Sequence, residues 1–530
     1  MTAARAAVAA PELMRAETLW DLIRLRASAT PDAPMLIDAS DRRMTYAQFA
    51  DAAEHLAAGF FELGIGPGTP VTWQLPTRIT TVLVMAALVR LGAAQNPIIH
   101  LYRERETRAV LKQSRSEFFL IPGQFGSRDF AAFASGVTAE LESRPRIITV
   151  ETDPARLPAG DIALLPAPPA PGDEVRWIPY TSGTTSDPKG ACHTDRSIMA
   201  AGYGLAHALR LTARDVGTIA YPIAHIGGPM YLAMMLMNGM SAVLIESFVA
   251  AQAVGLLRRW GVTQSGGSTT HYLAYLEEQR KQPNEPLIPS LRMLTGGGAP
   301  KPPELYWQLK RELNCAVMHA YGMTEVPLIA QGSPLDSDEQ LANTEGHVIS
   351  GMEVRIVKAD GALARHGEEG EVRVRGASVC RGYTNVATNA SAFDADGFFR
   401  TGDMGILRED GHVTLTGRVK DIIIRKGENI AAKELEELLF AHPKVGAVAV
   451  IGLPDRERGE RVCAVVETKP GAEPLQFAEM VAYLKDAGLM LQKIPEQLEI
   501  IEQLPRNETF NKVLKHKLRE RFAGTSVPPR

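Results

Sequence analysis

The chain has 530 residues, a net charge of −4 and four cysteines. At roughly 100 to 200 residues per domain it is too long for one compact core, so three or more substructures of a large α/β protein are expected. The small net charge removes the electrostatic case for nucleic acid or an anionic membrane surface. Cys192, Cys315, Cys380 and Cys463 are too far apart for metal-ligand spacing, which fits a reducing compartment, most simply the cytoplasm.

Residues 1–11 are alanine-rich, carry Arg5 and lack a long apolar core, so they read as a disordered start rather than a signal peptide. From 18 to 121 helical and strand-like segments alternate. Apolar residues recur at helical spacing over 19–27 and 46–63, a short strand is expected over 70–75, and a mostly apolar helix over 81–91 ends at Gly92. Such alternation implies parallel strands covered by helices. The charged run 103–108 reads as a solvated helix start, and the proline-rich 166–174 as a connector.

That connector leads, through Trp177-Ile178-Pro179 as the expected end of a strand, to Tyr180-Thr-Ser-Gly-Thr-Thr-Ser-Asp-Pro-Lys-Gly190. Here five Ser/Thr hydroxyls flank Gly183, and Lys189 follows six residues behind it. Ser and Thr offer the backbone competing hydrogen bonds, and Gly and Pro punctuate the stretch, so a loop is expected. Bare amides, many hydroxyls and one ammonium suit an oligophosphate. The nucleoside-triphosphate loop G-x-x-x-x-G-K-[ST] does not fit, because Pro188 stands at its second glycine and Gly190 at its hydroxyl. Alone, the stretch would better suit a flexible Ser/Thr-rich surface turn.

The segment resembles the signature loop of the acyl-adenylate-forming superfamily of acyl-CoA synthetases, adenylation domains and firefly-type luciferases. It departs at Ser186, where that family usually has glycine. The resemblance implies an α/β fold: a large N-terminal domain of two doubly wound sheets plus a β-rich subdomain, over 1–417, and a small mobile α+β C-terminal domain over 418–530.

Beyond the loop, a helix is expected over 197–209 and a strand over 216–221. The uncharged stretch 226–245 has about the length of the ~20 apolar residues a bilayer requires. However, Gly227-Gly228-Pro229 opens it and Asn238-Gly239 breaks it, so it reads as buried helix, turn and strand (241–245), with no integral membrane segment. Pro222-Ile-Ala-His-Ile-Gly-Gly228 sits at a strand end, where ligands bind in α/β sheets. A lone histidine is often only structural, but this segment resembles the family's second motif, which implies that His225 lies between acyl pocket and nucleotide. Amino-acid-activating relatives usually show Phe-Asp there, so Ala224-His225 points to an acid without an α-amine. The same comparison puts His225, Gly228 and Met230 in the acyl pocket.

A strand over 291–295 runs into Gly296-Gly297-Gly298-Ala299-Pro300, where glycines admit a flat ligand or merely make a tight turn. The resemblance places Gly297, Gly298, Ala299 and Pro300 against the adenine and the acyl group. A strand over 317–320 delivers Tyr321-Gly322-Met323-Thr324-Glu325. Tyr321 can stack on a purine, Thr324 can bond phosphate, and Glu325 is a hard oxygen ligand suited to Mg²⁺. Alternation over 351–376 signals antiparallel strands. Asp403, after Thr401-Gly402, is a turn former in isolation and a ribose ligand by resemblance.

Gly417-Arg418-Val419-Lys420-Asp421 resembles the family's hinge, with Arg418 as a ribose or phosphate contact and Lys420 as the hinge residue. Lys433 to Glu437, in a helix expected over 432–441, reads as a solvated face. Near the end, Leu504-Pro505-Arg506 precedes Lys512, Lys515 and Leu518 in the family's K-x-x-[RK]-x-x-L spacing. The loop before Lys512 is one residue longer than usual and has Phe510-Asn511 in place of glycine. A basic amphipathic tail is the alternative.

The resemblance covers nearly the whole chain and implies a two-step ligase using ATP, Mg²⁺ and coenzyme A. Lys512, Glu325 and His225 would be catalytic, and Thr181, Ser182, Gly183, Thr184, Thr185, Lys189, Gly322 and Thr324 would join the ATP site. The partners implied are a small carboxylic acid, ATP and coenzyme A, with no nucleic acid, and a homodimer is allowed. Residues 96–106 are similar to the same stretch of alicyclic-acid and medium-chain ligases. Two rivals stay open: an acyl-AMP ligase loading a carrier protein, and a non-catalytic nucleotide binder.

Overall fold

A computed structural model describes residues 15–181, 188–299, 301–425, 428–455, 458–507 and 512–523, with backbone only for Gln124, Glu428 and Asn429. The first sheet is wholly parallel, in the order Ala94–Pro97, Pro70–Trp73, Phe118–Pro122, Arg146–Val150. The expected apolar helix against it is Ile79–Leu91, and every one of its residues is buried. A helix apolar on all sides has no solvent face to present, and burial of that kind is its stable outcome. Gly92 ends it in the left-handed region, φ 69°.

A second sheet sets Val216–Ile219, Ser241–Leu244 and Pro34–Ile37 parallel, with Arg43–Thr45 antiparallel at its edge. A third runs Gln264–Gly267, Met293–Gly297 and Ala316–Met323 in parallel before Val326–Gln331 and His347–Val348 reverse. The second and third meet edge to edge where the Thr263 amide donates to the Val216 carbonyl at 2.8 Å. One hydrophobic core, running from Leu19 to Ile349, fills the space beneath these sheets and their helices.

The membrane-like stretch is the helix Gly227–Asn238, a left-handed Gly239 at φ 73°, and the strand Ser241–Leu244. No helix among the described residues is long and apolar enough to cross a membrane. The helix expected over 197–209 begins earlier, as Asp195–Ala208. Thr194 and Ser197 form a capping box, the Ser197 amide donating to Thr194 Oγ1 at 3.2 Å. Trp177 does not end a strand; it makes isolated bridges to Gln95 and His193.

Met352–Val357, Glu369–Gly376, Phe399–Leu407 and Val413–Arg418 form the expected antiparallel meander. A one-turn helix, Val419–Asp421, then leads into a smaller α+β unit. Its sheet orders Glu428–Ala431, Ile422–Arg425, Gly459–Thr468 and Val445–Asp455, with Gln497–Ile501 parallel to Gly459–Thr468. Two cores of its own pack against the sheet's faces, one from Ile423 to Ile494 and one from Ala449 to Phe522. The chain is thus a mixed α/β protein with a large N-terminal domain and a smaller C-terminal one.

Candidate functional site

A cavity of about 340 Å³ opens between the third sheet, the meander and the C-terminal unit. It gathers Gly298, Ala299, Tyr321, Gly322, Asp403, Arg418 and Lys512 from five separate stretches of chain. Backbone geometry explains the glycines. Gly298 has φ +80°, and a Cβ on Gly297 would come within 2.4 Å of the Ala320 carbonyl oxygen in the neighbouring strand. Gly297 therefore lets the two strands approach, and at Gly298 the chain passes the cavity with no side chain between.

Asp403, on Phe399–Leu407, is buried and engaged on both oxygens. Tyr321 Oη donates to Oδ2 at 2.9 Å, and Arg418 Nε lies 2.9 Å from Oδ1. The antiparallel register sets Asp403 opposite Arg418, so the ion pair follows from strand pairing. Burial, and then Asp403, push the Tyr321 phenol well above its usual range, so it remains a hydrogen-bond donor.

Lys512 reaches this cavity from the C-terminal unit. Its amide donates to Asn507 Oδ1 at 2.8 Å, and Arg506 bridges to Val513. Burial first, then Arg418, lower its ammonium pKa to about 8, against the opposing pull of Asp403. A lysine so placed is a compact charge on a flexible stem, held beside other cations and ready for an anion. Lys420, the expected hinge, is exposed in the single turn Val419–Asp421.

The arms of the phosphate loop pair antiparallel, Thr181 with Lys189 and Tyr180 with Gly190. The turn between them, with Ser182, Gly183, Thr184, Thr185 and Ser186, lies outside the described residues, as do Pro300 and Phe510-Asn511. The strand after the loop is stitched to residues 381–384: the Cys192 amide donates to the Gly382 carbonyl and the Thr384 amide to that of Gly190. Tyr383, carried there, donates its hydroxyl to Glu325 Oε1 at 2.5 Å, and Lys189 Nζ lies 5.4 Å from the centre of its ring. Glu325 is buried, which raises its carboxyl pKa, while Tyr383, Lys189 and Arg418 pull it back down. Tyr383 thus joins the loop base to the Glu325 carboxylate.

Thr324 contributes its carbonyl, which accepts from His193 Nε2 at 2.8 Å. His225 does not line this cavity, and burial and then His100 lower its imidazole to about 3. At physiological pH it is neutral and can offer a hydrogen bond but no charge. Its carbonyl accepts the Gly228 amide at 2.7 Å, and a Cβ on Gly228 would stand 1.9 Å from the Ile223 carbonyl oxygen. Gly228 is therefore demanded by the tight turn. Met230, two residues on, is partly buried in the same helix.

The groups the sequence did not single out are Tyr383, His193 and a buried ionic cluster in the cavity wall. That cluster corrects the solvated reading of the face from Lys433 to Glu437. Lys433 has 14% of its side chain exposed, donates to the Leu415 carbonyl at 2.6 Å and lies 3.5 Å from Glu345 Oε1. Lys301 is buried beside them, donating to the Ala342 carbonyl at 2.7 Å. Gly382 at φ +120° ahead of an aromatic residue is the one local sign of Tyr383.

Magnesium needs few protein ligands, commonly one or two carboxylates with the rest from phosphates and water. Glu325 fits that role: it is a single buried carboxylate whose charge burial penalises. No group of three or more His, Cys, Asp or Glu suited to a metal occurs among the described residues.

The chain matches the profile of the AMP-binding enzyme over residues 23–384 and that of the AMP-binding enzyme C-terminal domain over residues 434–511. It belongs to the AMP-binding enzyme family, the acyl-adenylate-forming superfamily. It is an AMP-forming acid–thiol ligase. A medium-chain fatty-acid–CoA ligase of Escherichia coli is 29% identical, over 95% of this chain and 90% of its own. A salicyl-AMP ligase / salicyl-S-ArCP synthetase of Mycobacterium tuberculosis is 33% identical, over 92% of this chain and 88% of its own. MatB from Rhodopseudomonas palustris is 26% identical, over 95% of this chain and 99% of its own, with a TM-score of 0.85 for the ATP-bound crystal structure. The apo form of MatB, at the same identity and coverage, gives 0.75.

Proposed function

We propose that the protein activates a medium-chain, alicyclic or aryl acid as its acyl-adenylate and transfers the acyl group to coenzyme A. The observation that carries this reading is the convergence of Lys512 with Tyr321, Asp403 and Arg418 on one cavity. In the first step a carboxylate oxygen attacks the α-phosphorus of ATP and pyrophosphate leaves. Two anions must approach, so a preorganised cation contributes directly to lowering the barrier. Lys512 would stand between carboxylate and α-phosphate, Asp403 would accept the ribose hydroxyls, and Thr181, Lys189 and the loop between them would hold the β- and γ-phosphates. Magnesium, held by Glu325, would add charge neutralisation on those phosphates.

In the second step the thiol attacks the adenylate carbonyl and AMP leaves. Lys512 then blocks the approach, and we place the movement that withdraws it at Lys420, between units 1–417 and 418–530. The four cysteines, all without disulfides, fit a cytoplasmic location.

The acid is read from the residues around His225. Ala224 is buried and carries no carboxylate, and His225 is neutral, so neither pairs an ammonium. Burying an unpaired charge costs several kcal/mol, whereas each methylene in an apolar pocket gains about 0.8 kcal/mol. The fatty-acid and salicyl specificities in the relatives' names point the same way. Pyrophosphate release over a panel should rise with apolar bulk through medium-chain, alicyclic or aryl acids and then fall once the pocket is full. An amino acid as the best substrate would overturn this reading. Transfer to a carrier protein but not to free coenzyme A would replace the acceptor.

A pH profile tests Lys512 in the free enzyme. Its lowered pKa means that the ammonium is charged below about 8 and neutral above it. The kcat/KM of ATP–pyrophosphate exchange should therefore fall about tenfold per pH unit above 8. In Lys512→Arg, where the charge is permanent, the residual activity should lack this limb. A wild-type profile flat to pH 10 would remove Lys512 from the rate-determining charge.

A further inference from the structure

The ionic cluster in the cavity wall crosses from the C-terminal unit to the large domain. Lys433 stands in the first turn of the helix Ala432–Phe440, and its ammonium inserts between the Leu415 carbonyl, at 2.6 Å, and Glu345, at 3.5 Å, with Glu437 Oε1 3.6 Å away. Glu345 follows the helix Asp338–Asn343 and is pinned by its own backbone, its amide donating to the Val413 carbonyl at 2.8 Å. Its side chain is 8% exposed. Burial alone would raise its pKa, but the ammonium groups of Lys433 and then Lys301 outweigh burial and hold it below the ordinary carboxylate range. His319 is brought down to about 4 by burial and is neutral. Its Nε2 faces two acceptors, Ala299 O at 3.1 Å and Glu345 Oε2 at 3.4 Å, so it carries the hydrogen.

The same helix also holds the segment that delivers Lys512. Glu436, three residues beyond Lys433, accepts the Val450 amide at 2.8 Å and pairs with Lys515 Nζ at 2.7 Å. Lys515 opens the helix Lys515–Phe522, three residues after Lys512. One rigid helix therefore docks on the large domain through Lys433 and grips the neighbour of Lys512 through Glu436. Glu345, Lys433, Glu436 and Lys512 all line the one cavity.

From this geometry we infer that Lys433 and Glu345 form a latch that positions Lys512 for adenylate formation and must open before thioester formation. Lys433 is a positioning residue: it acts through the placement of Lys512. The inference rests on the two-step reading above. Opening would leave Glu345 within the field of the Lys301 charge, with His319 Nε2 3.4 Å from its Oε2, so the large domain keeps polar neighbours for that carboxylate in either arrangement.

The test measures the two half-reactions separately on the full-length enzyme. Lys433→Met should slow ATP–pyrophosphate exchange about tenfold while leaving thioester formation from preformed acyl-adenylate at or above the wild-type rate. Lys433→Arg, which keeps the charge, should recover most of the exchange. Glu345→Gln should repeat the Lys433→Met pattern, and the double variant should lose no more than either single, because both remove one interaction. Equal loss in both half-reactions, failure of arginine to rescue, or unchanged exchange in Lys433→Met would overturn the latch. Absence of exchange in the wild-type enzyme with every acid would instead overturn the reading it rests on.

Discussion

Lys512→Ala should lower acyl-adenylate formation about 10³-fold while thioester formation from a preformed adenylate survives. Removing a preorganised charge that acts on a developing anion typically costs roughly 10²- to 10³-fold in turnover. Here two anions are left facing each other, which sets the expected loss at the upper end. An interaction made only in the transition state acts on kcat, so KM for ATP should change little. Lys512 sits in the cavity among Arg418, Asp403 and Lys420, and its removal there relieves the burial of its charge and then the crowding with Arg418 that lower its pKa. The variant should consequently fold as well as the wild type. Undiminished ATP–pyrophosphate exchange would sink the assignment. Lys515 is a weak second candidate, because its ammonium is already paired with Glu436 at 2.7 Å.

How far the sequence led depended on whether a signal was local. The apolar run ending at Gly92 and the break at Asn238-Gly239 are punctuated within a few residues, and both helices end where those glycines take positive φ. Tyr321, Asp403 and Arg418 were each legible as parts of short motifs, and strand register then placed Asp403 across from Arg418. Tyr383 and Glu325, 58 residues apart, share no such motif. Nor do Lys433 and Glu345, separated by 88 residues. Lys433 and Glu437 stand at i,i+4 with opposite charge, the pattern of a solvated helix face. Only tertiary packing shows that the face is covered, and a helical period carries no information about what lies opposite it.

Asp403→Ala should differ from Lys512→Ala by damaging both half-reactions. The AMP moiety stays bound through both, so a ribose ligand acts in each. Hydrogen bonds to a charged group contribute about 1.5 to 3 kcal/mol each, and a buried partner left unpaired costs a further 1 to 3 kcal/mol. Tyr321 Oη and Arg418 Nε, each 2.9 Å from Asp403, would both lose their acceptor. A net loss of about 3 kcal/mol corresponds to roughly 10²-fold, since each 1.4 kcal/mol is tenfold. The loss should appear as a raised KM for ATP in adenylate formation and weaker binding of acyl-adenylate in thioester formation. Asp403→Asn keeps an acceptor for Tyr321 but forfeits the charge facing Arg418, and should fall between. If Asp403→Ala impaired pyrophosphate exchange and spared the thioester step, Asp403 would belong with Lys512, as a group that acts on the α-phosphate transfer alone.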